Sequence, residues 1–224
     1  MKYITTFCLA LFTITAFAQR TITKDVGDFH TLKVFDLIEV NLIQSDENKV
    51  VIKGEHTDDV KIINQNGKLK LRMELDTRFR GEDTYIEVYF TNIETIDANE
   101  GAYIVGNEMI EQNSIELKAQ EGGRINIGLE VENTKVKAVT GGSVKVSGSA
   151  TNQEIQLNTG GIFQGRELKT SRTKVGITAA GEADINASDK VEVRVTAGGD
   201  VTIYGNPKEI DEKRIAGGRI RVID

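Results

Sequence analysis

Ser114-Ile-Glu-Leu-Lys-Ala-Gln-Glu-Gly-Gly-Arg-Ile-Asn-Ile127, Thr134-Lys-Val-Lys-Ala-Val-Thr-Gly-Gly-Ser-Val-Lys-Val146 and Gln153-Glu-Ile-Gln-Leu-Asn-Thr-Gly-Gly-Ile-Phe163 are three copies of one pattern. The paired glycines are Gly122 and Gly123, Gly141 and Gly142, Gly160 and Gly161, Gly198 and Gly199, and Gly217 and Gly218. A single Gly181 stands where a sixth pair would fall. The second glycine of each copy recurs at steps of 19, 19, 20, 18 and 19 residues. A fixed period near 20 residues is the mark of a stacked repeat. A degenerate earlier copy places Gly101 where Gly122 falls.

Aligned on that second glycine, the copies form columns. Six residues before it stand Leu117, Val136, Ile155, Val175 and Val193; four before, Ala119, Ala138, Leu157, Ile177 and Val195. Two after it stand Ile125, Val144, Phe163, Ala183, Val201 and Ile220; four after, Ile127, Val146, Gly165, Ile185, Ile203 and Val222. Apolar positions alternate within each copy, the period of a half-buried strand, and β-branched types dominate. The glycines supply a turn, since they reach φ > 0 without a Cβ clash. A hairpin meander is the competing arrangement, but it has no need of like columns. Like residues at one period predict parallel stacking: an all-β fold, a right-handed parallel β-solenoid of ~19-residue coils with its aliphatic columns turned inward. One such coil cannot bury its face alone, so the coils stand or fall together.

Upstream, Leu37–Gln44, Val50–Lys53, Val60–Asn64, Leu69–Leu75 and Tyr85–Phe90 read as strands, with Asn66-Gly67 as a hairpin turn. The charged stretch Asp76–Asp83 reads as a loop. This part either continues the solenoid with irregular coils or forms an antiparallel cap over its open edge. At the start, Lys2 precedes an apolar run from Ile4 to Phe17 that ends in Ala16-Phe-Ala18. That is the layout of a secretory signal cut before Gln19, and the run is short of the ~20 residues of a membrane span. The chain therefore divides into a signal segment at 1–18, a β-rich part at 19–92 and repetitive coils at 93–224.

Removing residues 1–18 removes Lys2, so a net charge of −6 becomes −7. It also removes Cys8, the one cysteine, leaving a chain that holds together by core and ladder without disulfides. A lipidated cysteine would stand at the cleavage point, so Cys8 does not mark a lipoprotein. A mildly acidic, mixed-charge surface argues against nucleic acid as a partner, and no span remains after cleavage.

The residues offer little chemistry. His30 and His56 lack partners at the spacing of a triad or a zinc site. The glycine pairs lack the further Gly and Asp of calcium-binding β-rolls, and no Gly-Lys-Ser/Thr follows them. No catalytic residue, metal or cofactor is expected. An outward column holds Lys118, Lys137, Gln156, Gly176 and Arg194, so Lys118, Lys137 and Arg194 are a candidate basic stripe facing a ligand. Their bland reading is a solvated strand face. Glu182, Asp184 and Asp200 cluster on another outer face, where two carboxylates would suit an acid–base pair, or simply keep the surface soluble. Thr140, Asn158 and Thr159 read as partners for turn hydrogen bonds.

The order Phe29-x-x-Leu-x-Val, Ile38-Glu-Val-x-Leu-Ile-Gln, Val50-Val-Ile-Lys-Gly, Gly67-Lys-Leu-Lys-Leu, then serial Gly-Gly coils closing on Gly217-Gly-Arg-Ile-Arg-Val222, resembles the putative auto-transporter adhesin, head GIN domain family. The resemblance covers about residues 28–223. The Gly-Ile-Asn tripeptide itself is absent, with Arg124-Ile-Asn and Asp184-Ile-Asn nearest to it. The resemblance implies an exported envelope protein of Gram-negative bacteria, in the periplasm, on the outer membrane or outside the cell, with a β-solenoid fold and no established activity. Three roles are expected in order: an adhesin-type solenoid that binds a glycan or an envelope protein; a solenoid carbohydrate-active enzyme; and a structural module that assembles through the open edge after Val222.

Overall fold

The computed structural model describes residues 21–223. The signal segment read at residues 1–18, with Cys8, lies outside the described residues. The strands are β1 (Ile22–Asp25), β2 (Thr31–Val34), β3 (Glu39–Gln44), β4 (Lys49–Gly54), β5 (Val60–Gln65), β6 (Lys68–Met73), β7 (Thr84–Phe90) and β8 (Thr95–Ala98). Long strands follow, each one coil of the repeat: β9 (Tyr103–Gln120), β10 (Arg124–Val139), β11 (Ser143–Asn158), β12 (Gly161–Ala179) and β13 (Gly181–Ala197). The next coil is split into β14 (Asp200–Tyr204) and β15 (Glu209–Ala216), and β16 (Arg219–Val222) begins one more, stacked on β14.

From β9 to β16 every pairing is parallel. Between β10 and β11 the register holds residue i beside residue i+19 along the whole coil, from Arg124 beside Ser143 to Val139 beside Asn158. The inward columns are as the periodicity predicts: Leu117, Val136, Ile155, Val175 and Val193 are all buried, as are Ile125, Val144, Phe163, Ala183 and Val201. The exception is the final strand, where Val222 is 50% exposed, with no further coil stacked on it among the described residues.

Within β10 the burial alternates from Ile125 to Val131, skips a beat at Glu132 and Asn133, and resumes from Thr134 to Ala138. The skipped beat is a corner. Amides ladder across it: the Asn152 side chain donates to Asn133 Oδ1 at 3.0 Å, and Arg172 donates to Asn152 Oδ1 at 3.3 Å. A fifth inward column, eight residues before the second glycine, runs Ile115, Thr134, Gln153, Thr173, Val191. Its middle members are polar, so apolar periodicity does not reveal it.

The two glycines of a pair do different jobs. Thr140 and Gly141 take φ 51° and 71°, and the Gly142 amide donates to the Val139 carbonyl at 3.0 Å. That is a tight turn with both central residues left-handed, which favours glycine at one of them. Gly142 itself is not left-handed; a Cβ there would stand 2.1 Å from the carbonyl oxygen of Ala119 on the neighbouring coil. The same approach recurs at Gly123 against Ala98 and at Gly161 against Ala138. Thr140 and Thr159 are therefore turn centres with positive φ, rather than only side-chain partners for the turn. Thr159 Oγ1 does reach the Asn158 side chain at 3.3 Å.

The N-terminal part both continues the solenoid and caps it. One ladder runs β1-β4-β7-β3 onto the first half of β9; the other runs β5-β6-β2-β8 onto its second half. The strands nearest the coils pair in parallel: β3 with β7 and β9, β2 with β6 and β8. The outermost pair antiparallel: β1 with β4, β4 with β7, β5 with β6. Asn66 and Gly67, φ 53° and 70°, make the hairpin between β5 and β6. A fully buried Asp36 pins the loops at this end: its carboxylate accepts the Met73 amide at 3.1 Å and lies 3.6 Å from Arg78.

Candidate functional site

The outward residues of the first ladder include one concavity with aromatic walls. Register places Tyr85 beside Glu39 and Glu39 beside Tyr103, so the carboxylate sits between two tyrosines. Adjacent strands are ~4.8 Å apart, which puts the two tyrosine backbones roughly 9–10 Å from each other. Tyr85 is 48% exposed. The guanidinium of Arg124 lies 4.8 Å from the Tyr103 ring and backs it from the next coil. The slot encloses about 180 Å³ and is lined also by Asn41, Lys53, Glu87 and Val105. Lys53 and Glu87 hold each other at 2.6 Å, and Asn107 donates to Asn41 at 3.1 Å. Among the described residues nothing pairs with the Glu39 carboxylate. Sequence reasoning misses this slot, because its residues come from four strands, β3, β4, β7 and β9, that are separated in the chain. The sequence alone gives no sign that Tyr85 and Tyr103 meet.

The basic stripe lies on the second ladder. Lys118 and Lys137 are register neighbours; Gln156 and Gly176 then intervene before Arg194. Lys118 is tied to Glu116 at 2.7 Å, while Lys137 and Arg194 point to solvent. Two of the three residues are therefore brought together, and the third stands three coils away.

The acidic cluster lines a hollow of about 200 Å³. Glu182 and Asp200 are register neighbours. Asp200 is held by a bidentate pair with Arg219, both contacts at 2.8 Å. That hydrogen bond, against some desolvation, keeps the Asp200 carboxyl below its ordinary value and raises Arg219. A carboxylate held ionised is the opposite of what a general acid needs.

His30 lies at a strand end, 3.2 Å from the Thr31 hydroxyl and 3.8 Å from Glu94, with its ring against Gly67. His56 sits in a turn, φ 57°, 3.3 Å from Asp59. Among the described residues no three His, Cys, Asp or Glu side chains gather as metal ligands, and no helix is long and apolar enough to cross a membrane.

The profile of the family described as "Putative auto-transporter adhesin, head GIN domain" matches residues 28–207. The chain belongs to this family. No match among curated proteins is found for this head GIN domain chain. Among solved structures, a putative adhesin from Bacteroides fragilis NCTC 9343 aligns with a TM-score of 0.85 at 15% identity, covering 93% of this chain and 98% of that one. A putative adhesin from Parabacteroides merdae ATCC 43184 aligns at 0.68 and 15% identity, over 92% and 96% of the two chains. A protein described as a putative lipid binding protein from Parabacteroides distasonis ATCC 8503 aligns at 0.69 and 12% identity, over 92% and 97%. At these identities the likeness is one of fold.

Proposed function

We propose that this head GIN domain is an exported, non-enzymatic envelope protein that recognises a surface glycan in the slot between Tyr85 and Tyr103. The observation that carries this reading is an unpaired carboxylate, Glu39, flanked by two tyrosines on a rigid outer face. A pyranose has one C–H face and a rim of hydroxyls. Tyrosine rings accept the first; Glu39 and its polar neighbours accept the second. The slot is smaller than the roughly 300–1,000 Å³ of enclosed small-molecule clefts. That suits one sugar of a polymer lying across an open face. Export, to the periplasm, the outer membrane or beyond, rests on the charged-then-apolar start of the chain and on the family's adhesin description.

A second reading is an anionic polymer along the second ladder, favoured by the adjacency of Lys118 and Lys137. A glycan array probed with the wild-type chain, Y85A/Y103A and K118E/K137E separates the two. Loss of signal in the tyrosine variant alone is expected. Signal kept there but lost in the lysine variant would move the site to the basic column. A blank array alongside measured turnover of a polysaccharide would replace both with an enzyme.

A further inference from the structure

We propose that a hollow at the corner of the first coils is a second ligand site, independent of the tyrosine slot, which takes an uncharged sugar through its hydroxyls. The hollow encloses about 610 Å³, within the roughly 300–1,000 Å³ of small-molecule clefts. Its walls come from the loop before β8, the middle of β9 and the corner of β10, and include Asn92, Glu94, Gln112, Asn133 and Lys135. Hydrogen bonds fix these walls. The Glu94 amide donates to the His30 carbonyl, and the Glu116 amide to the Glu94 carbonyl, both at 2.8 Å. The Gln112 side chain donates to the Ile93 carbonyl at 2.8 Å.

The corner amides carry a direction into this hollow. Arginine only donates, so Asn152 must turn Oδ1 to Arg172, 3.3 Å away. Its Nδ2 is then left to donate to Asn133 Oδ1, at 3.0 Å. Asn133 ends the chain with its own Nδ2 turned away from Asn152, and it lines the hollow whereas Asn152 does not. A cation at the far end polarises such a chain and strengthens its last donor. Among the described residues nothing accepts from that Nδ2. The nearby acceptors are already engaged: Asn113 Oδ1 takes the Ser114 hydroxyl at 2.8 Å, the Ser114 carbonyl takes Gln112, and Glu132 takes Asn113 at 2.9 Å.

Two charged groups of the hollow also lack a hydrogen-bond partner. Lys135 stands in register between Glu116 and Glu154, but these are bonded to Lys118 at 2.7 Å and to Gln156 at 3.1 Å. Glu94 lies 3.8 Å from His30, beyond a hydrogen bond, and its side chain is 66% exposed. An anionic ligand is drawn by Lys135 and opposed by Glu94; a cationic one meets the reverse. Hydroxyls escape this conflict, since each can accept from Asn133 or Lys135 and donate to Glu94. No aromatic ring lines the hollow, so recognition here runs through hydrogen bonds rather than stacking.

An NMR titration of the nitrogen-15-labelled chain tests this. The probes are the methyl glycosides of glucose, galactose, mannose and N-acetylglucosamine, with glucuronate and glucosamine as charged counterparts. At least one uncharged probe should shift the Asn133 side-chain amide and the Lys135 backbone amide, with saturation by about 50 mM, and should bind more tightly than either charged one. Asn133→Asp keeps the acceptor for Asn152 and replaces the free donor by an oxygen. It should weaken binding at least fivefold, followed at Lys135, and K135A at least threefold, followed at Asn133. Y85A/Y103A should bind the same probe as the wild type does, so this site and the tyrosine slot fail separately. An Asn133 amide silent to every uncharged probe, N133D and K135A that both bind like the wild type, a charged probe that binds best, or loss of binding in Y85A/Y103A would each overturn the proposal.

Discussion

The ring of Phe163 fills the space that a side chain at position 165 would need: a Cβ on Gly165 would stand 2.2 Å from Phe163 Cε1. Other coils place two mid-sized residues at these positions, Ile125 with Ile127 and Val144 with Val146, all buried. This coil trades them for one large and none. Gly165→Val alone should therefore cost stability by overpacking, about 1–3 kcal/mol. Phe163→Val alone should cost a similar amount by leaving a void. The double variant restores the pattern of its neighbours and should lose less than the sum, with a coupling of at least ~1 kcal/mol in chemical denaturation. Additive losses would contradict the shared space.

The glycine pairs separate two kinds of cost. A side chain at Gly141 meets nothing within 4 Å, but its φ of 71° strains any L residue. Gly141→Ala should cost about 1–2 kcal/mol. At Gly142 the added Cβ would press on the Ala119 carbonyl at 2.1 Å, and backbone cannot rotate away. Gly142→Ala should cost clearly more, and should speed amide exchange least in the coils farthest from the turn. Equal melting points for the two variants would contradict the division of roles.

Ala180 stands where other coils place the first glycine, and it takes φ 42°. Ala180→Gly should raise stability by about 1 kcal/mol through relief of that strain, partly offset by the greater freedom of glycine when unfolded. A fall in the denaturation midpoint would contradict it.

How far the sequence discloses this structure depends on the side of the strand. The aliphatic columns, the glycine turns and most upstream strands are legible because burial imposes a period on them. Lys68–Met73 and Thr84–Phe90 lie within a residue or two of their sequence-based limits. The polar inward column at Thr134, Gln153 and Thr173 is not legible, since polar residues break the apolar period; Thr173 Oγ1 donates to Gln153 Oε1 at 3.3 Å, while Thr134 Oγ1 and Gln153 Nε2 have no partner among the described residues. Nor is Asp36, whose burial follows from loop closure that no local pattern encodes. The slot at Tyr85 and Tyr103 escapes for a different reason. Outward residues carry no periodic constraint, and the strands that build it become neighbours only through the crossing order β7-β3-β9.

Arg219 sets the charge of Asp200. The folded carboxyl lies below its ordinary value of 3.8, chiefly through the Arg219 hydrogen bond. A depressed carboxyl contributes stability that is present above its unfolded pKa and fades as pH falls through the folded one. In Arg219→Gln the Asp200 carboxyl should titrate higher, read by its side-chain carbon shift between pH 2 and 6, and the acid limb of the melting curve should flatten slightly. An unchanged titration would show that the pair does not persist in solution.

The most direct test of the recognition surface is a heteronuclear NMR titration of the labelled chain with a glycan selected on the array. Shifts concentrated at Glu39, Tyr85, Tyr103 and Val105, saturating together and abolished in Y85A/Y103A, are the predicted result. Shifts that instead follow Lys118, Lys137 and Arg194, with the tyrosine slot silent, would contradict it.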